Sequence, residues 1–142
     1  MKQNFTLITL GATNFKRAVK FYEKGLGWKK SKASMGDIAF FQLSGIILSI
    51  YPKKMLAKDA TVSPKGSGFS GISLSYNTIS EKEVDAILKK VVKHGAKLIK
   101  PAQKVFWGGY NGYFKDTEGH LIEVAFNPFW KMDRKGIVKL KK

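Results

Sequence analysis

Cysteine is absent from this sequence, and its absence removes disulfides, zinc–thiolate sites and a thiol nucleophile together. Long hydrophobic runs are also missing. The longest, "GIILSIY", falls far short of the ~20 residues that a membrane span needs, and "MKQNFTLITL" lacks the apolar core and small-residue cleavage site of a secretion signal. A soluble, cytoplasmic protein with no membrane partner is therefore expected. Acidic residues are scarce: 10 stand against 26 lysines and arginines, for a formal charge of +16. Only two of the basic residues are arginine, Arg17 and Arg134, and the lysines run from Lys2 to Lys142 without concentrating anywhere. Readers of base sequence depend on arginine forks and a focused stripe or stacking platform. Dispersed lysine implies a solvated surface with nonspecific attraction to polyanions, not a specific nucleic-acid partner.

What is present is a repeated order of elements. At 142 residues the chain has the length of one domain, and a chain of this size buries roughly 68–70% of its unfolded surface. "FTLITLGA" alternates with period two as a strand does. Asn14 then suits an N-cap, and Phe15, Ala18, Val19, Tyr22 and Leu26 make one apolar stripe on a helix closed by Gly25 and Gly27. Strands are predicted at about 28–33, 37–43 and 45–51, separated by the turn signals "MGD" and "LSG". Residues 53–69, with Pro64, Gly66 and Gly68, read as a linker. The order then recurs. "GISLSY" alternates, "SEKEVDAILKKVVKHGA" is a helix with a Ser80/Glu83 capping box and Gly95 at its end, and strands are predicted at about 97–100, 104–115 and 120–126. Two copies of strand-helix-strand-strand-strand amount to an internal duplication. The expected fold is α+β: two βαβββ modules, 1–52 and 70–128, forming a curved eight-stranded mixed sheet with helices outside and a concave cavity inside. Residues 129–142 are left as a C-terminal tail.

"ITLGATNFKRAVKFYEKGLGW" and "YFKDTEGHLIEVAFNP" resemble the first strand-helix segment and the closing hairpin of the glyoxalase/bleomycin-resistance/extradiol-dioxygenase proteins, the vicinal oxygen chelate superfamily. The resemblance spans about residues 5–128. It implies a small-molecule ligand and a homodimer. It also implies that the superfamily's metal positions, one on each of four strands, fall here at Leu7, Leu48, Gly71 and Glu123. Only Glu123 offers a donor atom, whereas a divalent ion needs several, so no metal and no cofactor are expected.

Glu123 is accordingly the residue of most interest. A carboxylate between Ile122 and Val124 either meets water or lines the cleft, and in a duplicated curved sheet the face opposite Ile122, Val124 and Phe126 is the inside. Trp107, Tyr110 and Tyr113 from "VFWGGYNGYF" are candidate wall residues, with Phe41 and Gln42 from the first module. His94 suits a helix C-terminus. His120 lies at an odd offset of three from Glu123, which puts the two on opposite faces and argues against a metal pair. The leading expectation is binding of a small, aromatic molecule, neutral or anionic because a chain at +16 repels cations over long range. The alternative is a lyase- or isomerase-type enzyme of the superfamily using Glu123 as acid or base, with or without a metal. Nonspecific nucleic-acid binding ranks last.

Overall fold

The computed structural model describes residues 7–138 apart from 60, 62, 67, 71 and 135. The chain divides into two compact units, Met1–Gly71 and Ile72–Lys142. The first holds β1 (Leu7–Ala12), α1 (Phe15–Lys20, continued by a π-helical turn over Phe21–Gly25), β2 (Ala39–Gln42), β3 (Ile47–Pro52) and α2 (Lys53–Asp59). The second holds β4 (Leu74–Thr78), α3 (Glu81–Lys93), β5 (Lys97–Lys104), β6 (Tyr110–Lys115) and β7 (Leu121–Phe126). Mixed α+β architecture with a duplicated strand-helix-strand pattern is what the sequence predicts.

The duplication is clearest in the ladders. In the first unit β1 runs parallel to β3, and β2 runs antiparallel to it. In the second, β4 runs parallel to β7, β6 antiparallel to β7, and β5 antiparallel to β6. The expected strand at 28–33 is reduced to a single bridge from Lys30 to Phe41, so seven strands stand among the described residues. The predicted linker also changes, because its first seven residues form α2.

The helices begin and end where their chemistry requires. Asn14 Oδ1 accepts the Arg17 N–H at 3.0 Å at the start of α1. Ser80 Oγ accepts the Glu83 N–H at 3.2 Å at the start of α3, while Glu83 Oε2 reaches back to the N–H of Ile79 at 3.0 Å, one residue before the cap. At the far end the Ala96 N–H bonds Val91 O and the Gly95 N–H bonds Val92 O, with Gly95 at φ +96°. That pair is a Schellman closure, which glycine permits without a Cβ penalty.

Each sheet buries one face under a helix. In the first unit Phe41, Leu48 and Ile50 are buried on that side. There Tyr22 packs against Trp28 and Phe41 at ring-centroid distances of 5.6 and 5.7 Å. In the second unit Val84, Leu88 and Val91 of α3 are buried together with Phe114, Ile122 and Val124. Gly112 sits under this helix. A Cβ there would come within 2.6 Å of Leu88 Cδ1, 2.9 Å of Lys100 O and 3.0 Å of Ala102 N. Close approach of backbone accounts for this strand glycine.

Candidate functional site

The even-numbered positions of β6 and β7 (Gly112, Phe114, Ile122, Val124) face α3, and strand alternation turns Asn111, Tyr113 and Glu123 to the other side of the sheet. Tyr113 lies directly opposite Glu123 in the antiparallel ladder, and Ser75 of β4 lies opposite Glu123 in the parallel one. Three strands therefore deliver one row, Ser75–Glu123–Tyr113.

Glu123 is held from the strands on both sides of it. Ser75 Oγ donates to Glu123 Oε2 at 2.7 Å, and Asn111 Nδ2 donates to Glu123 Oε1. Burial, a hydrogen bond to Glu123 and the negative charge of Glu123 push the Tyr113 phenol above its ordinary range. Lys100 Nζ donates to Asn111 Oδ1 at 2.8 Å and stands 5.8 Å from the centroid of the Tyr113 ring. The orientation of the Asn111 amide is forced by its neighbours. An ammonium can only donate and a carboxylate can only accept, so Oδ1 faces Lys100 and Nδ2 faces Glu123. Asn111 is 4% exposed, and both ends of its amide are satisfied, as a buried polar group requires.

Lys100 arrives at this face by an irregularity. Leu98 pairs with Phe114, Lys100 with Tyr113 and Gln103 with Asn111, with register shifts between the successive pairs. Without the first shift Ile99 would stand opposite Tyr113. Pro101, which cannot donate to the ladder, lies within the second shift, between Lys100 and Gln103.

Trp107 belongs to a turn, not to a strand. The Gly108 N–H bonds Val105 O at 2.9 Å and the Val105 N–H bonds Gly109 O at 3.0 Å, closing residues 105–109 between β5 and β6. The predicted strand 104–115 is thus split, and Phe106 stands fully in solvent at the tip. The Trp107 ring folds over Gly109, filling the place where a Cβ would lie, only 1.7 Å from its nearest ring atom. By the alternation of β6 that place is on the side of Asn111 and Tyr113.

The remaining candidates lie elsewhere. Tyr110 turns toward α3, where its hydroxyl donates to Asp85 Oδ1 at 2.9 Å. This bond, slight burial and the charges of Asp85 and Glu81 raise its phenol above the ordinary range. Phe41 is 1% exposed in the aromatic core of the first unit. Gln42 projects from the opposite face of β2, and its amide donates to Leu43 O at 2.9 Å and Ile46 O at 3.4 Å across the hairpin turn. Sequence reasoning had not singled out Ser75, Lys100 or Asn111. The alternation of "GISLSY" and "YNGYF" carries the signal for two of them, and Pro101 is the only trace of the third.

The first unit repeats the row without its charge. Thr9 lies opposite Ser49 in the parallel ladder and Phe40 opposite Ser49 in the antiparallel one. Ser49 Oγ donates to Thr9 Oγ1 at 2.7 Å. Thr9, Ser49 and Phe40 thus match Ser75, Glu123 and Tyr113 strand by strand, with a serine in place of the glutamate.

This register also corrects one position carried over from the resemblance. Leu48 lies on the helix-covered face, 2% exposed, because a one-residue offset along a strand reverses the side-chain direction. The metal positions do not fit an ion. Leu7 has a hydrocarbon side chain, Ser49, which stands in place of Leu48 on the face equivalent to that of Glu123, offers only a neutral hydroxyl already bonded to Thr9, Gly71 lies outside the described residues, and Glu123 is engaged by neutral donors. Among the described residues no group of three His, Cys, Asp or Glu side chains could hold a metal.

Residues 5–124 match the Glyoxalase/Bleomycin resistance protein/Dioxygenase superfamily. The chain belongs to that superfamily. A glyoxalase-related enzyme from Fulvimarina pelagi is 31% identical in sequence, covers 99% of each chain and superposes with a TM-score of 0.90. A superfamily enzyme from Burkholderia phytofirmans PsJN shares the fold at 15% identity, with a TM-score of 0.76 over 85% of this chain and 96% of its own. Lactoylglutathione lyase from Agrobacterium tumefaciens does so at 18% identity, with a TM-score of 0.68 over 94% of this chain and 100% of its own. No curated protein matches. No helix among the described residues is long and apolar enough to cross a membrane.

Proposed function

We propose that this superfamily member binds a small aromatic molecule, neutral or anionic, on the face of its second sheet turned away from α3. Glu123 orients the ligand, and Trp107 and Tyr113 supply the aromatic wall. One observation carries the reading: Ser75 and Asn111 each donate a hydrogen bond to one oxygen of Glu123, holding the carboxylate in a fixed direction with Tyr113 directly across the ladder from it. A few convergent polar groups set in an aromatic surface are the usual composition of a small-molecule site. Tyr110, Phe41 and Gln42 are left out of the proposed site, since each is engaged elsewhere. The reading needs no cofactor and takes the protein to be a cytoplasmic homodimer.

The likeness to the glyoxalase-related enzyme from Fulvimarina pelagi favours a second reading, a lyase- or isomerase-type enzyme in which Glu123 moves a proton. Positioned acid–base action by one group contributes about 10²–10⁴-fold. Both oxygens of Glu123 already accept a protein hydrogen bond, from Ser75 and from Asn111, which holds the group still and leaves its remaining acceptor positions for a ligand's donor. Binding is therefore the leading function. Native mass spectrometry of tag-free protein separates the two. Binding predicts a retained small molecule that is lost from Glu123→Gln and released unchanged on denaturation. A retained molecule indifferent to Glu123, or one converted at a rate that Glu123→Gln abolishes, overturns the ranking.

A further inference from the structure

Resting on the ligand-binding reading above, we infer that Lys100 is the charge-selecting residue of the site, and that the ligand is an aromatic carboxylate carrying a hydroxyl or similar donor. The ammonium of Lys100 gives one hydrogen bond, to the neutral amide of Asn111 at 2.8 Å, and among the described residues it makes no ion pair. An ammonium has three donors, so two remain. The side chain is half-buried, and a cation partly removed from water with only a neutral partner is incompletely compensated. A carboxylate placed there completes it.

Glu123 shows the complementary arrangement. Its charge is met by neutral donors and not by Lys100, because the Asn111 amide stands between the two. The site is therefore polarised, positive at Lys100 and negative at Glu123, with one amide as the spacer. A ligand matching that polarity has an acid at one end and a donor at the other. The Tyr113 ring beside Lys100 and the Trp107 ring over Gly109 favour an arene between them. A cationic ligand would meet Lys100 directly and be rejected.

The test uses three compounds of one shape: 4-hydroxybenzoate, 4-hydroxybenzamide and 4-hydroxybenzylamine. Each is titrated at constant ionic strength into isotopically labelled full-length protein, and amide spectra, including the Asn111 side chain, are recorded up to millimolar concentrations. 4-Hydroxybenzoate is expected to shift the Asn111 side-chain signal and the Tyr113 amide with half-saturation at least fivefold lower than 4-hydroxybenzamide. Lys100→Met should remove that preference and Lys100→Arg should keep it, the unperturbed remainder of each spectrum reporting an intact fold. Should Lys100→Met unfold, the wild-type ordering of the three compounds and Lys100→Arg still decide. Equal binding of benzoate and benzamide overturns the role of Lys100 and leaves the binding reading standing. Preference for the amine overturns the ligand class. Shifts scattered over surface lysines, with none at Asn111 or Tyr113, overturn both readings.

Discussion

Replacing Asn111 by Asp changes one nitrogen to oxygen and tests the polar row at its centre. Asn111 Nδ2 donates to Glu123 Oε1 while Oδ1 accepts from Lys100. The substituted oxygen faces Glu123 with no proton to give. Two carboxylates about 4 Å apart repel by about 4 kcal/mol at an effective dielectric of about 20. The alternative, taking up one proton at pH 7 on a group that ordinarily titrates near 4, costs about 4 kcal/mol as well. Lys100, beside the other Asp oxygen, offsets part of this, so a loss of about 2–4 kcal/mol is expected at pH 7. For a chain of this length that is a fall of roughly 6–15 °C in melting temperature. The sign with pH follows from linkage. Repulsion raises a carboxyl pKa in the folded variant above its unfolded value, so the penalty is full above the raised value and shrinks as pH falls through it. Thermal unfolding by circular dichroism, run from pH 4.5 to 8, should show wild type and Asn111→Asp converging at the acid end. Adding Glu123→Gln should restore stability at pH 7, because the new amide can donate to Asp. Equal melting temperatures for wild type and Asn111→Asp at pH 7 would refute the placement of Asn111 against Glu123.

Gly112→Ala should lose about 1–3 kcal/mol in denaturant titration, because two of the three atoms its Cβ meets are backbone and cannot swing aside; Gly66→Ala, with nothing within 4 Å, should be near neutral. The Tyr113 phenol should titrate above the ordinary range in ultraviolet difference spectra against Tyr113→Phe, and Glu123→Gln should bring it down. Because that pKa is raised in the folded state, its contribution to stability is complete below the unfolded value and is lost as pH rises through the folded one; stability that increases with pH above ~10 would contradict it. Elemental analysis of tag-free protein should find no stoichiometric divalent metal that depends on Glu123, since Leu7 offers no donor and Ser49, on the face where Leu48 was expected, only a neutral hydroxyl bonded to Thr9. DNA binding should be blind to sequence and vanish with added salt, and a footprint that persists at high salt would reverse this.

Much of this fold was legible because the signals are local. Asn14, Ser80 and Gly95 mark helix ends by side-chain or backbone chemistry that needs no tertiary partner. "DTEG" closes its turn through Asp116 Oδ1, which accepts the N–H groups of Glu118 and His120. The direction of Glu123 followed from the apolar pair on either side of it. What escaped the sequence depends on register, which period-two reasoning assumes and cannot establish. One residue of offset put Leu48 on the buried face, and the first register shift in β5 brought Lys100, not Ile99, opposite Tyr113. Trp107 was assigned to a strand because "VFWGGYNGYF" has strand composition throughout. The turn hidden in it needs Gly108 at φ +86° and Gly109 beneath the indole, which composition alone does not distinguish from glycines that let a strand curve.

The most direct test of the central claim is a crystal structure of the protein grown with the small molecule it retains. Ligand density is expected on the sheet face away from α3, within hydrogen-bonding distance of Glu123 and beside Trp107 and Tyr113. A competing location exists in the same unit: an open apolar groove of about 460 Å³ between α3 and β5, lined by Leu88, Val92, Leu98 and Pro101 with Lys89 and Lys93 at its edge. Density in that groove, with the Glu123 cluster unchanged and unvisited, would contradict the account.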